Sequence, residues 1–174
     1  MLTLQLHANA TDKKLLPPAQ LKKIAAHLSN HLGFDKKSFE ASLAFVDAKA
    51  IQSLNHDFRG KKKPTNVLSF PQFTPAELKK LKPSAKEVIY LGDIILCKKV
   101  IVSETLKLKK PLNHHLIHLV VHGTLHLLGY DHMNNAEAKR METLEKALLA
   151  GLGIKDPYVI DEPPKTKAQR NKKK

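Results

Sequence analysis

The sequence predicts a single α+β domain with a mixed β-sheet packed against helices, and three observations carry that prediction. Its 174 residues are enough for one domain with a real core and too few for two. Hydrophobic residues make up 42% of the chain and recur at strand period in some segments and at helical period in others. Gly and Pro punctuate these segments into the order β-α-β-α-β-β-α-α-α.

Taken in order, Leu2, Leu4 and Leu6 alternate with Thr3, Gln5 and His7, the period of a half-buried strand. Pro17 and Pro18 open a helix with Leu21, Ile24, Ala25 and Leu28 on one face, stopped by Gly33. FEASLAFVD (39–47) reads as the second strand. AKAIQSLNHDF (48–58) puts Ile51, Leu54 and Phe58 at helical spacing and closes at Gly60. After Lys61, Lys62 and Lys63, NVLSF (66–70) is a short strand ended by Pro71. Residues 74–87, rich in Pro and Lys, read as an exposed excursion with room for one helical turn. VIYLGDIILC (88–97) is a strongly apolar strand with Gly92 inside it, and a helix follows over 97–107. The segment 112–128 has unbroken helical character. Asn134 caps a last helix over 135–150, which Gly151 and Gly153 end. Residues 1–160 thus form the domain, and the basic stretch 161–174 is expected to be a disordered tail.

Charge gives the first indication of function. Thirty Lys and Arg against sixteen Asp and Glu leave a formal net charge of +14. The tail holds six basic and two acidic side chains, so it supplies +4 and the other 160 residues still carry +10. A field of that sign attracts polyanions, with RNA or the ribosome as the expected class. Aromatic residues are scarce, at 5% with no Trp, which argues against a base-stacking platform of the RRM type and for contacts to backbone and shape. The one cysteine, Cys97, cannot close an internal disulfide and reads as a small buried hydrophobe in a reducing compartment. No apolar run approaches the roughly 20 residues of a membrane span. The first residues also lack the order of a secretory signal, so the expected location is the cytoplasm, with no membrane partner.

Six of the ten histidines lie between His114 and His132. His122 and His126 are four apart, which on a helix sets both rings on one face as ligands for one metal. Gly129 lets the chain leave the helix and turn, bringing His132 back as a third ligand. The string has the H-x-x-x-H-x-x-G-x-x-H spacing of metzincin proteases. Three neutral imidazoles with an open fourth position describe a catalytic metal site, and zinc suits it, although other divalent transition metals are accepted by the same donors. Those proteases carry Glu directly after the first histidine as general base, whereas this chain has Gly123, so peptide hydrolysis is disfavoured. His118 reads as a packed core histidine, or alternatively as a partner that orients a ligand. His114 and His115 read as solvent-facing or phosphate-contacting. Asp131 reads as a turn former or as a group that orients an imidazole or serves as base.

VHGTLHLLGYDH resembles the signature of the YbeY family, bacterial single-strand-specific endoribonucleases of rRNA maturation. FRGKKKPTNVLSFP (58–71) is similar to the family's second block, in which an arginine precedes a Thr-Asp-Val-Leu-Ser-Phe-Pro element. LGDI (91–94) resembles a third block and GLGIKDPY (151–158) the usual end of the domain. These blocks follow the family's order and span most of residues 45–158. One departure is Asn66, where the family often has Asp; the size and an acceptor remain but the charge is gone. The resemblance implies a metzincin-like α+β fold, zinc held by His122, His126 and His132, and an arginine matching Arg59 that is important for activity. It also implies a ribosome-associated role in maturation of the 16S rRNA 3′ end and in small-subunit quality control, with single-stranded rRNA, the small subunit and assembly factors as partners.

The chemistry of the residues agrees. A metal acidifies water toward neutrality and polarises a phosphoryl oxygen. The guanidinium of Arg59 can hold two phosphate oxygens and stabilise charge that builds in the transition state. Arg59 and His122 are therefore the candidate catalytic residues, with Lys61, Lys62 and Lys63 as electrostatic guides. Ser69 and Asp93 are expected to play structural parts, and Tyr130 to pack beside the metal loop. Two other classes stay open: a ribosome-assembly factor whose metal mainly holds the fold, and a metal-dependent hydrolase of a non-RNA substrate.

Overall fold

The computed structural model describes residues 1–34, 38–81 and 87–159; the expected tail lies outside them. In chain order the elements are β1 (Leu2–His7), α1 (Ala10–Leu15), α2 (Pro18–Leu32), β2 (Ser38–Val46), α3 (Ala48–Arg59) and β3 (Val67–Pro71). They continue with α4 (Pro75–Lys80), β4 (Val88–Cys97), α5 (Lys98–Leu108), α6 (Leu112–Leu127) and α7 (Asn135–Gly151). The sheet is mixed, as expected, with order β1-β2-β4-β3. β1, β2 and β4 run parallel, and β3 pairs antiparallel with β4 at the edge.

The two faces of this sheet are covered unequally. Leu4, Leu43, Ile94 and Leu96 join Ile24 and Leu28 of α2, Leu116 and Val120 of α6, and Leu148 of α7 in the main core. The other face buries a smaller cluster of Ile51, Leu68 and Cys97, so Cys97 is the buried hydrophobe its sequence suggests. β4 carries a bulge. Glu40 pairs with Tyr90 but Ala41 pairs with Gly92, so Leu91 is an extra residue. Core-facing positions accordingly shift from Ile89 and Leu91 to Ile94 and Leu96. Gly92 sits at φ +129°, and a Cβ there would fall 2.1 Å from the Phe70 carbonyl oxygen, so no side chain fits.

Two short helices were not part of the expected order. α1 follows Asn9, whose side chain accepts the Asp12 amide, and it carries the chain into Leu16, which is fully buried. α4 occupies the supposed excursion. Thr74 and Glu77 form a reciprocal capping box around Pro75, and although Leu78 packs on the main core, the helix buries no residue, as expected of an exposed excursion with one helical turn. Residues 82–86 lie outside the described residues. Among the described residues no helix is long and apolar enough to cross a membrane.

Candidate metal centre

α6 lies across β3 and β4 and presents His118, His122 and His126 at four-residue intervals. Its close approach to the sheet depends on Gly123: a Cβ there would lie 2.9 Å from Ile94 Cγ2. The position that holds glutamate in metzincins therefore faces the core in this chain and has no room for a carboxylate. Ser69 of β3 donates to the Gly123 carbonyl at 3.3 Å, a second tie between strand and helix and the structural part expected of it.

The helix ends as the string predicts. Gly129 takes φ +82°, and the Tyr130 amide returns to the Leu125 carbonyl at 3.0 Å. Asp131 then accepts the His132 amide at 2.7 Å, the turn-forming reading of that residue; its carboxylate is also 4.0 Å from His126 Nδ1. This turn brings the His132 ring centroid to 5.0 Å from that of His126 and 5.9 Å from that of His122. Tyr130 packs beside the loop with the Arg140 guanidinium over its ring.

His122, His126 and His132 each offer a ring nitrogen, all within 4.8 Å of one another. Tetrahedral nitrogen ligands at zinc distance stand about 3.3 Å apart, and the Nε2 atoms of His122 and His126 are 3.1 Å apart. Burial, reinforced by the imidazoles of His122 and His132, pushes the pKa of His126 down to about 4, so its lone pair is free at neutral pH. The three histidines therefore fit one divalent metal. His132 is exposed and the other two are half-buried, so the site opens into a cleft of about 570 Å³.

Glu145, on α7, was missed by sequence reasoning. Its carboxylate is fully buried and accepts from His122 Nδ1 at 2.7 Å and from the Tyr158 hydroxyl. Burial pushes this carboxyl up, but the His122 hydrogen bond and charge, with Tyr158 and His118, outweigh it and hold the pKa below the usual range. The bond fixes the proton of His122 on Nδ1 and turns Nε2 toward the metal position. A signal did exist: Glu145 falls in the buried stripe of Met141, Leu148 and Leu149, where a charge needs a partner. His118, 3.9 Å from Glu145, forms with it and His122 a second group of metal-capable donors. The short His122 bond already engages that carboxylate, and His118 Nε2 is buried with no hydrogen-bond partner. His118 is thus mostly buried beside both residues of that bond.

Arg59 ends α3 and lines the same cleft as His122, His126 and His132. Among the described residues no carboxylate is within ion-pair distance of it. The loop after it is held by its backbone: Gln52 and Asn55 donate to the Lys62 and Lys63 carbonyls at 3.0 and 2.7 Å, while all three lysines are exposed. Among the described residues Asn66 has no bond to His122, His126 or His132. It donates to Glu104 at 2.9 Å and accepts the Val67 amide at 2.7 Å. His115 also binds Glu104, at 2.8 Å, and is only 8% exposed, which corrects its expected solvent-facing role; His114 is exposed. Asp93 accepts from Tyr90 at 2.7 Å, a structural bond as expected.

Known proteins share both fold and sequence with this chain. The solution structure of TM1509 from Thermotoga maritima superposes with a TM-score of 0.52 at 21% identity, covering 91% of this chain and 99% of that one, a likeness of fold. The endoribonuclease YbeY of Chromohalobacter salexigens is 47% identical over 150 residues, 85% of this chain and 91% of its own. That of Rhizobium etli is 52% identical over 125 residues, 72% and 70% of the respective chains. The family model described as endoribonuclease YbeY matches residues 6–153, a span that holds the three histidines, Arg59, Asn66 and Glu145 together, and the chain belongs to that family.

Proposed function

We propose that the chain is a zinc-dependent endoribonuclease that cuts single-stranded rRNA, acting at the 16S 3′ end and in quality control of the small ribosomal subunit. On this reading it works in the cytoplasm, with rRNA, the small subunit and assembly factors as partners. Membership of a family named for endoribonuclease activity supports the reaction class. The observation that carries the reading at this cleft is the convergence of three imidazole donors with Arg59 beside their open side. The likeness to metzincins is confined to the spacing of the histidines in the sequence, and Gly123 departs from it.

When bound, the metal supplies a Lewis acid that acidifies water and polarises a phosphoryl oxygen. The chain's own residues do the rest. Glu145 holds the His122 proton on Nδ1, so this ligand meets the metal in one tautomer and one orientation. Arg59 binds the phosphate at the cleft and offsets charge that develops on its oxygens. Lys61, Lys62 and Lys63 raise the local concentration of polyanion without touching the reacting atoms.

The test compares metal content and cleavage of a single-stranded rRNA fragment for wild type, His126→Ala and Arg59→Glu. Equimolar zinc in wild type, lost together with cleavage in His126→Ala, is expected. Arg59→Glu should keep the metal and lose cleavage. Equal cleavage by all three would reject the reading in favour of an assembly factor whose metal holds the fold. Faster turnover of peptides than of RNA would mark a hydrolase of another substrate.

A further inference from the structure

The spacing of Ile51, Leu54 and Phe58 places all three on one face of α3, yet the structure treats them differently. Ile51 is fully buried and Leu54 half-buried, but Phe58 is 67% exposed at the mouth of the metal cleft. The ring is not loose. Phe70 of β3 meets it edge to face, with centroids 5.0 Å apart and an interplanar angle of 77°. An edge contact orients a ring while leaving face area open to solvent. Met133, directly after the third histidine, is 81% exposed and lines the same cleft. A chain with few aromatic residues thus spends one on an oriented, exposed ring next to Arg59.

The surroundings say what that ring can bind. Arg59 follows it directly and lines the same cleft, and Lys61, Lys62 and Lys63 come next, so basic side chains outnumber the nearby carboxylates of Asp57 and Asp131. An apolar peptide gains nothing from such a frame, whereas a nucleotide presents a flat π-face and a phosphate together. We propose that Phe58, braced by Phe70, is a stacking platform for one unpaired nucleobase of the RNA whose phosphate lies at Arg59. Bases within a duplex have their faces covered by their neighbours and cannot be offered to the ring. The platform therefore gives a physical reason for choosing single strands. It adds one base contact to the contacts to backbone and shape expected from composition. The inference rests on the reading of the cleft as an RNA-cutting site.

The experiment uses zinc-loaded wild type, Phe58→Ala, Phe58→Leu and Phe58→Trp. Binding and cleavage are measured on a short single-stranded RNA and on the same sequence in duplex form. A 2-aminopurine is placed at successive positions of the single strand to report stacking by fluorescence quenching. Zinc content and melting temperature verify that each variant is folded, as expected for an exposed position. Loss of one base–aromatic stack should weaken single-strand binding roughly 5- to 150-fold. We expect that loss in both Phe58→Ala and Phe58→Leu, with quenching abolished at one position, and retention of both signals in Phe58→Trp. The single-strand to duplex ratio should fall in the first two variants. If Phe58→Leu binds and quenches like wild type, the contact is not stacking and the proposal is overturned. If all variants bind RNA equally, the ring does not contact the RNA, and the platform alone is overturned. Wild type that binds no RNA overturns the nuclease reading first, and that outcome needs no variant to detect.

Discussion

His122 donates through Nδ1 to Glu145 at 2.7 Å, and the carboxylate that accepts it is fully buried 23 residues further along the chain. The bond makes α7 part of the metal site although no ligand lies on that helix. Glu145 in turn accepts from Tyr158, so the segment after α7 is tied to the same imidazole.

Removing that carboxylate should weaken the metal rather than abolish the site. Partners of this kind typically change metal affinity 10- to 100-fold. Glu145→Gln keeps an acceptor and should fall at the low end, while Glu145→Ala leaves His122 Nδ1–H and the Tyr158 hydroxyl without their acceptor and should fall at the high end. Competition with a chromophoric zinc chelator measures both. Unchanged zinc affinity in Glu145→Ala would reduce this residue to a packing role.

Gly123 can be tested with the residue that metzincins carry. In Gly123→Glu the new Cβ meets Ile94 at 2.9 Å and the carboxylate enters the core between α6 and β4. Overpacking alone costs about 1–3 kcal/mol, and an unpaired buried carboxylate adds to it. The variant should show a clearly lower melting temperature and no peptidase activity. A stable variant that cleaves peptides would mean that position 123 faces the metal.

Asn66 answers a different question, because the departure from Asp is matched by its surroundings. Its amide donates to the same Glu104 oxygen that His115 binds. Asn66→Asp replaces that donor with a second carboxylate 2.9 Å from the first. A lost, partly buried hydrogen bond and the repulsion together should destabilise by about 1–3 kcal/mol, read from urea unfolding. The double variant Asn66→Asp with Glu104→Gln restores a donor to the pair and should recover most of the loss. If the double variant is no better than Asn66→Asp alone, Glu104 is not the reason for Asn66.

These cases also separate what the sequence carries from what only the fold supplies. Alternation in residues 2–7, the Asn134 cap and the His122–His132 string are local, and each appears in the structure where its pattern puts it. The Thr74–Glu77 capping box was equally local and readable, though a composition rich in Lys and Pro hid it. Strand order, the burial of His115 and the engagement of Glu145 with His122 depend on pairings between elements 11 or more residues apart, which no local period encodes. Phe58 shows the converse. Its helical spacing is correct, but the ring meets Phe70 of the edge strand β3 and stays 67% exposed, so the same period ends at the surface.

The histidines also make the metal-free protein sensitive to mild acid. Burial pushes the pKa of His118 down to about 4; the Glu145 carboxylate opposes this, while His122, His115 and Lys110 reinforce it. His126 is likewise pushed down to about 4, by burial first and then by His122 and His132. Their side chains are 16% and 20% exposed, so solvent screens these effects only in part. In the unfolded chain each titrates near 6.5, so between about pH 6.5 and 4 the unfolded state holds protons that the folded state refuses. The stability they contribute is complete above about pH 6.5, declines as the pH falls, and is gone below about pH 4. Each can account for at most about 3 kcal/mol. Glu145, whose carboxyl is held below its usual range, keeps its own contribution above the ordinary carboxylate range and loses it as the pH falls through and below that range. Melting temperatures of chelator-treated protein from pH 7.5 to 4.5 should therefore fall steadily, and His118→Phe should flatten part of the slope. A melting temperature that stays level across that range would show that both imidazoles accept protons in the folded state as readily as in the unfolded one.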